Sequence, residues 1–549
     1  MNGFWRAVAA ACAAATLCAF AKATPAAAPI PVAVDPTGDK AGDAARLAAL
    51  GAYVDGLAAA HLYDRYPPAM MVAIATPSDV FLRVYGYADV DKGVRANEDT
   101  LFRIASISKT FVWVAVMQLA DEGKIDLKAD VNTYLKRVKV KPAFGQPVTM
   151  NDLMAHRAGF EDTFGDFIEG RGPKTFEESL ARHQPKRVAP PGLRTSYSNW
   201  GTDLAAQVVA DVSGMSYAEY VRTRILAPLG MNSTALHDPF SANDKQLNDP
   251  ALDARIAAPH RRKDGGPASM GHDSIDPTFA AGALAVSAKD AARWMQMFLN
   301  RGAVPASEAR ILSTEAFTLM RRRNFDDRLE ANDFAHGFME TTIADAPVFG
   351  HGGTLSGFIS DMSIAPSLGI GVFVVVNGAE GGRVPDQIAA AIIERAAAFD
   401  NYATRNPAPA AKALAEKAKS LEGVYVGARH VESKFEKIFS LGGEMTIKAE
   451  KDGSVILASG GGQRRYYPLS ENTYTDLRRD RIHVYRDAAG KVLRISGAAG
   501  TNTYEPVSFW KSSAAFGAAS NAATLLSLLV FIGAWRRQGR EVATNAAGV

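Results

Sequence analysis

The chain has 549 residues, 47% hydrophobic and 22% charged, with 47 Gly and 27 Pro, a globular composition too long for one ordinary core, so two or more structural units are expected. Lys plus Arg total 61 against 58 Asp plus Glu, and the net charge of +3 gives no field able to hold a polyanion, which argues against nucleic-acid binding. Both cysteines, Cys12 and Cys18, lie in the first segment; its removal leaves no thiol and excludes a disulfide scaffold, Cys-ligated zinc and a Cys nucleophile.

Residues 1–23 have the pattern of a secretory signal peptide. Arg6 precedes an uncharged run from Ala7 to Phe20, and Ala21, Ala23 and Thr24 supply small residues around a cleavage site after Ala23. The run is too short to span a bilayer, and Leu17 before Cys18 is wrong for a lipoprotein. Loss of Arg6 and Lys22 with this leader lowers the net charge to about +1. Residues 24–42 follow as a flexible segment.

Asp43 caps a helix over 43–60, after which strands are expected at 70–75 and 80–88, joined across Pro77, Ser78 and Asp79. Helical periodicity dominates 100–340, for example at 111–123 and 288–302, broken by long loops such as 256–278. Strands return at 347–353, 358–365 and 370–378, with a closing helix at 385–399. Strands at both ends of a 43–405 domain, with helices between, imply an α/β (α+β) fold: one antiparallel sheet completed by both ends of the domain, with a helical region inserted.

A connector at 406–420, rich in Ala, Lys and Pro, leads to 421–510, where short alternating strands at 424–428, 445–450, 454–459, 464–469, 482–487 and 492–497 predict a small all-β, barrel-like module. Its His430 and His483 have no acid/base or ligand spacing, and a packing or surface role is expected for both. Residues 512–535 carry no charge, and at about 1.5 Å per residue they give roughly 36 Å of helix, enough to cross a bilayer. Lys511 precedes this run and Arg536, Arg537 and Arg540 follow it, so the tail 536–549 is expected in the cytoplasm and the bulk of the chain outside, in the periplasm.

The residues that carry chemistry lie in the first domain. Ser106 and Lys109 are one turn apart, and the apolar run from Phe111 predicts a helix starting near Ser106. An amine beside a serine hydroxyl can take and return its proton, and a helix N-terminus favours developing negative charge. Ser-x-x-Lys arises readily by chance, and taken by itself it favours Ser106 as a helix N-cap. Two further groups add weight: Tyr197-Ser198-Asn199 on a loop leading into a helix, and His351-Gly352-Gly353 on a strand. HExxH, Gly-x-Ser-x-Gly and phosphate-binding Gly loops do not occur in the sequence, which sets aside zinc peptidase, α/β-hydrolase and NTPase readings. No metal and no cofactor is expected.

Over roughly 45–400 the chain resembles the serine β-lactamase and penicillin-binding-protein superfamily, in its class C-like branch. The class A signature is Ser-x-x-Lys, Ser-Asp-Asn and Lys-Thr-Gly, and class C-like relatives carry Tyr-x-Asn where class A has Ser-Asp-Asn. GYADVD, LMAHRAGF at 153–160, AAGALAVSAKDAARW at 280–294 and the Gly-Phe-Ile-Ser after the His-Gly-Gly extend the likeness. The resemblance implies that Ser106 is acylated, that Lys109 and Tyr197 move its proton and that Asn199 contacts the substrate amide. It further implies that 351–354 line the opposite wall, with the backbone N–H groups of Ser106 and Thr354 as the oxyanion hole. His156, in the 153–160 segment, is expected to pack near the site.

His351 and Gly352 depart from the β-lactamase triplet, since lysine is a permanent cation for a substrate carboxylate whereas histidine is only partly charged near neutrality. His-x-Gly looks more like the DD-peptidases, D-amino-acid-specific peptidases and esterases of the superfamily. The expected activity is therefore that of an exported, membrane-anchored serine hydrolase acting on a small peptide, ester or β-lactam-like substrate. A true β-lactamase and a slowly acylating penicillin-binding sensor or wall-binding protein are the alternatives.

Overall fold

The computed structural model describes residues 40–63, 66–162, 175–237, 249–275, 279–325, 333–397, 412–434, 437, 443–460, 462–477, 480–497 and 502–546; the signal-peptide reading of 1–23 lies outside them. A helix α1 (Lys40–His61) precedes the strands β1 (Ala69–Ala75), β2 (Val80–Asp89) and β3 (Val94–Arg95). The helical region holds α2 (Lys109–Asp121), α3 (Asn199–Ser213) and α4 (Ala288–Leu299). Strands β4 (Phe334–Ala335), β5 (Phe338–Ile343), β6 (Ala346–Leu355), β7 (Phe358–Ala365) and β8 (Ile370–Val376) follow, then helix α5 (Val384–Ala396).

These strands form one eight-stranded sheet in the order β3-β2-β1-β8-β7-β6-β5-β4, antiparallel throughout, with Val72 opposite Val374 where the two ends of the domain meet. The expected architecture is thus the one observed. β1 and β8 read AMMVAIA and IGVFVVV because both of their faces are covered. Met70, Val72, Ile74, Val372, Val374 and Val376 face a core with α1 and α5. Met71, Ala73, Phe373 and Val375 face the larger core with α4 and the helical region. There Trp294 of α4 stacks on Phe111 of α2, with centroids 3.9 Å apart.

Part of the 256–278 stretch, expected as loop, is a hairpin pairing His260–Lys263 with Gly266–Ser269; Asp264 and Gly265 turn it, both with positive φ, as the Asp-Gly pair of a two-residue turn does. The second half of the connector also differs from a plain linker. Lys412–Lys419 is helical, and Ala418 is buried in the core of the module that follows.

That module is a closed barrel of β9 (Gly423–Gly427), β10 (Glu444–Ala449), β11 (Val455–Ser459), β12 (Gly462–Pro468), β13 (Thr473–Thr475), β14 (Arg481–Arg486), β15 (Val492–Ser496) and β16 (Thr503–Pro506). Six strands were legible in the sequence; β13 and β16 were not, being short and polar, and they are the two that complete closure. The barrel is filled by Tyr425, Ile447, Val455, Tyr466, Val484 and Ile495. A final helix α6 (Ser513–Ala546) contains a stretch, Ser513–Gln538, long and apolar enough to cross a membrane, with Leu529, Val530 and Phe531 exposed along it.

Candidate active site

The serine lies on a strained turn at the edge of the helical region. Phe102 and Arg103 pair with Val286 and Ala285, and Ile104 N–H donates to Leu284 O at 2.9 Å. The chain then turns at Ala105, whose φ of 50° is costly for a residue with a Cβ. Ala105–Ser108 form one 3₁₀ turn, and α2 begins only at Lys109. Ser106 is therefore not the N-cap of α2. Because i and i+3 eclipse in a 3₁₀ turn, Lys109 Nζ lies over the serine and donates to Ser106 Oγ at 3.0 Å.

Lys109 is fully buried and also donates to Ala281 O at 2.6 Å. That carbonyl is held in place because Ala281 N–H donates to Asp203 Oδ1 of α3 at 2.9 Å. Burial, above all, brings the ammonium down from 10.5 to about 7; Asp203 opposes the shift and Arg429 adds to it. A lysine near 7 supplies a neutral amine at physiological pH.

Tyr197 immediately precedes Ser198, the N-cap of α3, whose Oγ accepts from Gly201 N–H at 3.0 Å. His156 holds this loop on both sides of the tyrosine: its carbonyl accepts from Ser196 N–H at 2.8 Å and its Nδ1 from Ser198 N–H at 3.1 Å. The His156 ring stacks on that of Tyr197, with centroids 4.2 Å apart. The expected packing role of His156 thus includes positioning of the phenol. Burial raises the Tyr197 phenol, opposed by its hydrogen bond with Ser106, so it is a proton donor at neutral pH. Asn199 is half-buried at the start of α3.

The opposite wall is β6. Gly352, Gly353 and Thr354 pair with Asp361, Ser360 and Ile359 of β7, and Ser360 Oγ donates to Ile104 O at 2.9 Å, joining the sheet to the turn that carries Ser106. A Cβ at Gly353 would lie 2.3 Å from both Ile104 O and Ser360 Oγ, so only glycine allows this approach. At Gly352 the nearest atom to such a Cβ is 3.8 Å away, so the site tolerates a larger residue there. Thr354 is exposed next in the strand.

His351 is buried. Its Nδ1–H donates to Gly352 O at 2.6 Å, which leaves Nε2 facing the Tyr197 hydroxyl at 3.4 Å. Burial first, then the charge on Lys109, pushes its pKa down to about 3. The partly charged histidine expected from the sequence is therefore a neutral one, because the ring is buried away from solvent beside the potential cation of Lys109.

The sequence also missed a contribution from the barrel. The segment Ala428–Ser433, after β9, packs against Phe160–Asp162 and Arg194–Ser196. Ser196 Oγ donates to Ala428 O at 3.1 Å, and Glu161 accepts from the backbone N–H groups of Glu432 and Ser433 at 2.8 and 2.7 Å. Thr195 and Thr503 exchange bonds of 3.1 and 3.2 Å; Arg194 pairs with Glu505 at 2.7 Å and also with Glu432. These contacts place the Arg429 guanidinium 4.9 Å from the centre of the Tyr197 ring. No local motif marks Arg429, and His430 beside it was expected only to pack. Its carbonyl accepts from Asp162 N–H at 3.1 Å. Among the described residues no group of three or more His, Cys, Asp or Glu side chains could hold a metal.

Residues 54–397 match the model of the Beta-lactamase family. Protein flp of Staphylococcus aureus (strain MRSA252) is 25% identical over 332 residues, covering 59% of this chain and 62% of its own; the chain thus spans about three fifths of that relative's length. Among solved structures, SurE superposes with a TM-score of 0.59 at 22% identity, over 85% of this chain and all of its own. The D-amino acid amidase from Ochrobactrum anthropi SV3 does so with a TM-score of 0.51 at 20% identity, over 63% and 97%. At these identities the structures establish a shared fold.

Proposed function

The chain belongs to the Beta-lactamase family, and on that premise we propose that it is a serine hydrolase that opens an amide or ester through an acyl-enzyme on Ser106. The observation that carries this reading is the buried Lys109, near 7 and 3.0 Å from Ser106 Oγ. Lys109 takes the proton of Ser106 as Oγ bonds to the substrate carbonyl carbon, and the backbone N–H groups of Ser106 and Thr354 receive the oxyanion. The C–N or C–O bond then breaks as the Tyr197 hydroxyl gives its proton to the departing atom, and the Lys109 ammonium restores it. Water repeats the sequence to release the acid, and Asn199 orients the acyl side.

The neutral His351 supports D-amino-acid peptides, peptidoglycan-type peptides or esters over β-lactams, since it offers no fixed cation on β6 for a ring carboxylate. The domain 43–405 carries this chemistry, the module 421–510 leans on it, and the leader 1–23 exports both. Helix α6 anchors them in the cytoplasmic membrane with the site in the periplasm and the tail inside. Incubation with nitrophenyl esters, D-amino-acid amides, D-Ala-D-Ala peptides and nitrocefin, with intact-mass detection of adducts, tests the reading. Turnover of an ester, amide or peptide with a transient adduct on Ser106 is expected. A stable adduct without turnover would leave the binding-sensor alternative, fast nitrocefin turnover alone a β-lactamase, and labelling elsewhere would refute the assignment.

A further inference from the structure

We propose that Arg429, delivered by the barrel, is a specificity-determining residue that receives a carboxylate on the leaving group, so that the preferred substrates are peptides whose departing amino acid has a free carboxylate. This rests on the acyl-enzyme reading above.

Three observations carry the inference. Arg429 lies 4.9 Å from the centre of the Tyr197 ring, and in that reading Tyr197 protonates the departing atom, which brings the leaving group within reach of the guanidinium. Secondly, the guanidinium is held in one orientation, with Nε donating to Asp162 Oδ2 at 2.9 Å, while its side chain is 39% exposed. Among the described residues its two Nη groups donate no hydrogen bond, and their paired N–H groups suit a bidentate carboxylate. Thirdly, the position on β6 where a β-lactamase has lysine is filled by a buried histidine, and Lys109 is enclosed by Ser106 and Ala281. The cation missing from β6 is supplied by another module, and anchoring by Asp162 lowers the cost of ordering a long side chain on binding. The Glu161 and Arg194 contacts that seat the Ala428–Ser433 segment keep this arginine at the cleft.

The test uses the full chain in detergent with two substrates, N-acetyl-D-Ala-D-Ala and its C-terminal amide. The wild type should prefer the carboxylate by roughly tenfold to a hundredfold in kcat/KM, the scale of a charge-assisted bidentate contact. Arg429→Gln should remove that preference through KM on the carboxylate substrate, and Arg429→Lys should restore part of it. Arg429→Glu should turn the preference toward a leaving group bearing an ammonium, such as the aminoethyl amide, an inversion that loosened folding does not produce. Fluorophosphonate labelling of Ser106 in the wild type separates the two levels of the argument. Labelling without carboxylate preference, or equal losses on both substrates in Arg429→Gln, overturns the role of Arg429 alone; failure to label Ser106 overturns both readings.

Discussion

Replacing Lys109 by Met removes the buried amine while keeping nearly the same length of chain, and it should make the protein inactive but more stable at neutral pH. The lysine titrates near 10.5 unfolded and near 7 folded, so between these values the unfolded chain binds a proton that the folded one does not. Stability of the wild type therefore rises with pH across that window, and the full penalty applies below about 7. At 1.36 kcal/mol per pH unit the displacement is worth at most about 5 kcal/mol. Methionine escapes this but leaves Ala281 O without its 2.6 Å donor, at about 1 to 3 kcal/mol. A net gain of about 3 kcal/mol is expected at pH 6, shrinking by about 1.36 kcal/mol per pH unit above 7 and changing sign at about pH 9. Urea unfolding of both proteins at several pH values measures it, because titrations common to both cancel in the difference. A difference that stays flat from pH 6 to 10 would refute the claim that burial depresses this lysine.

The same group sets the rate profile: kcat/KM on a neutral ester should fall about tenfold per pH unit below about 7 and level off above it, since only the free amine accepts the Ser106 proton; a flat profile from pH 5 to 8 contradicts it. The two glycines of β6 should behave differently in thermal melts. Gly353→Ala, with its Cβ 2.3 Å from Ile104 O, should cost about 1 to 3 kcal/mol and much of the activity, whereas Gly352→Ala, with its nearest neighbour at 3.8 Å, should leave stability almost unchanged. His351→Lys should raise nitrocefin turnover relative to ester turnover by roughly tenfold to a hundredfold. Acidifying the wild type to pH 5 should not imitate it, because burial holds the imidazole near 3; an acid-induced gain in nitrocefin turnover would show that His351 is wetter than the structure has it.

The sheet, its inserted helical region and most of the barrel were legible in the sequence because they are written as local periodicity. AMMVAIA and IGVFVVV announce strands covered on both faces, and the amphipathic run after Ser287 announces α4. The Ser106–Lys109 pair was legible for a related reason: the two are one turn apart, so a single turn brings them together whatever the rest of the chain does. Tyr197 and His351 could be placed beside them only through resemblance to a family, since nothing in their own spacing says that a loop and a distant strand converge.

Charge states and the barrel's share of the site were decided by tertiary structure alone. Histidine and lysine have the same composition in any sequence; it is the loss of water around Lys109 and His351 that makes the one a base near neutrality and the other a neutral hydrogen-bonding ring. Gly353 is required by an approach of Ile104 and Ser360 that no local pattern encodes. Arg429 reaches Tyr197 because Glu161, Arg194 and Thr195 seat a loop from a module more than two hundred residues away. Periodicity reports which face of an element is buried, whereas the partner across a long loop depends on closing that loop against many alternatives, and only the packed chain shows which one is made.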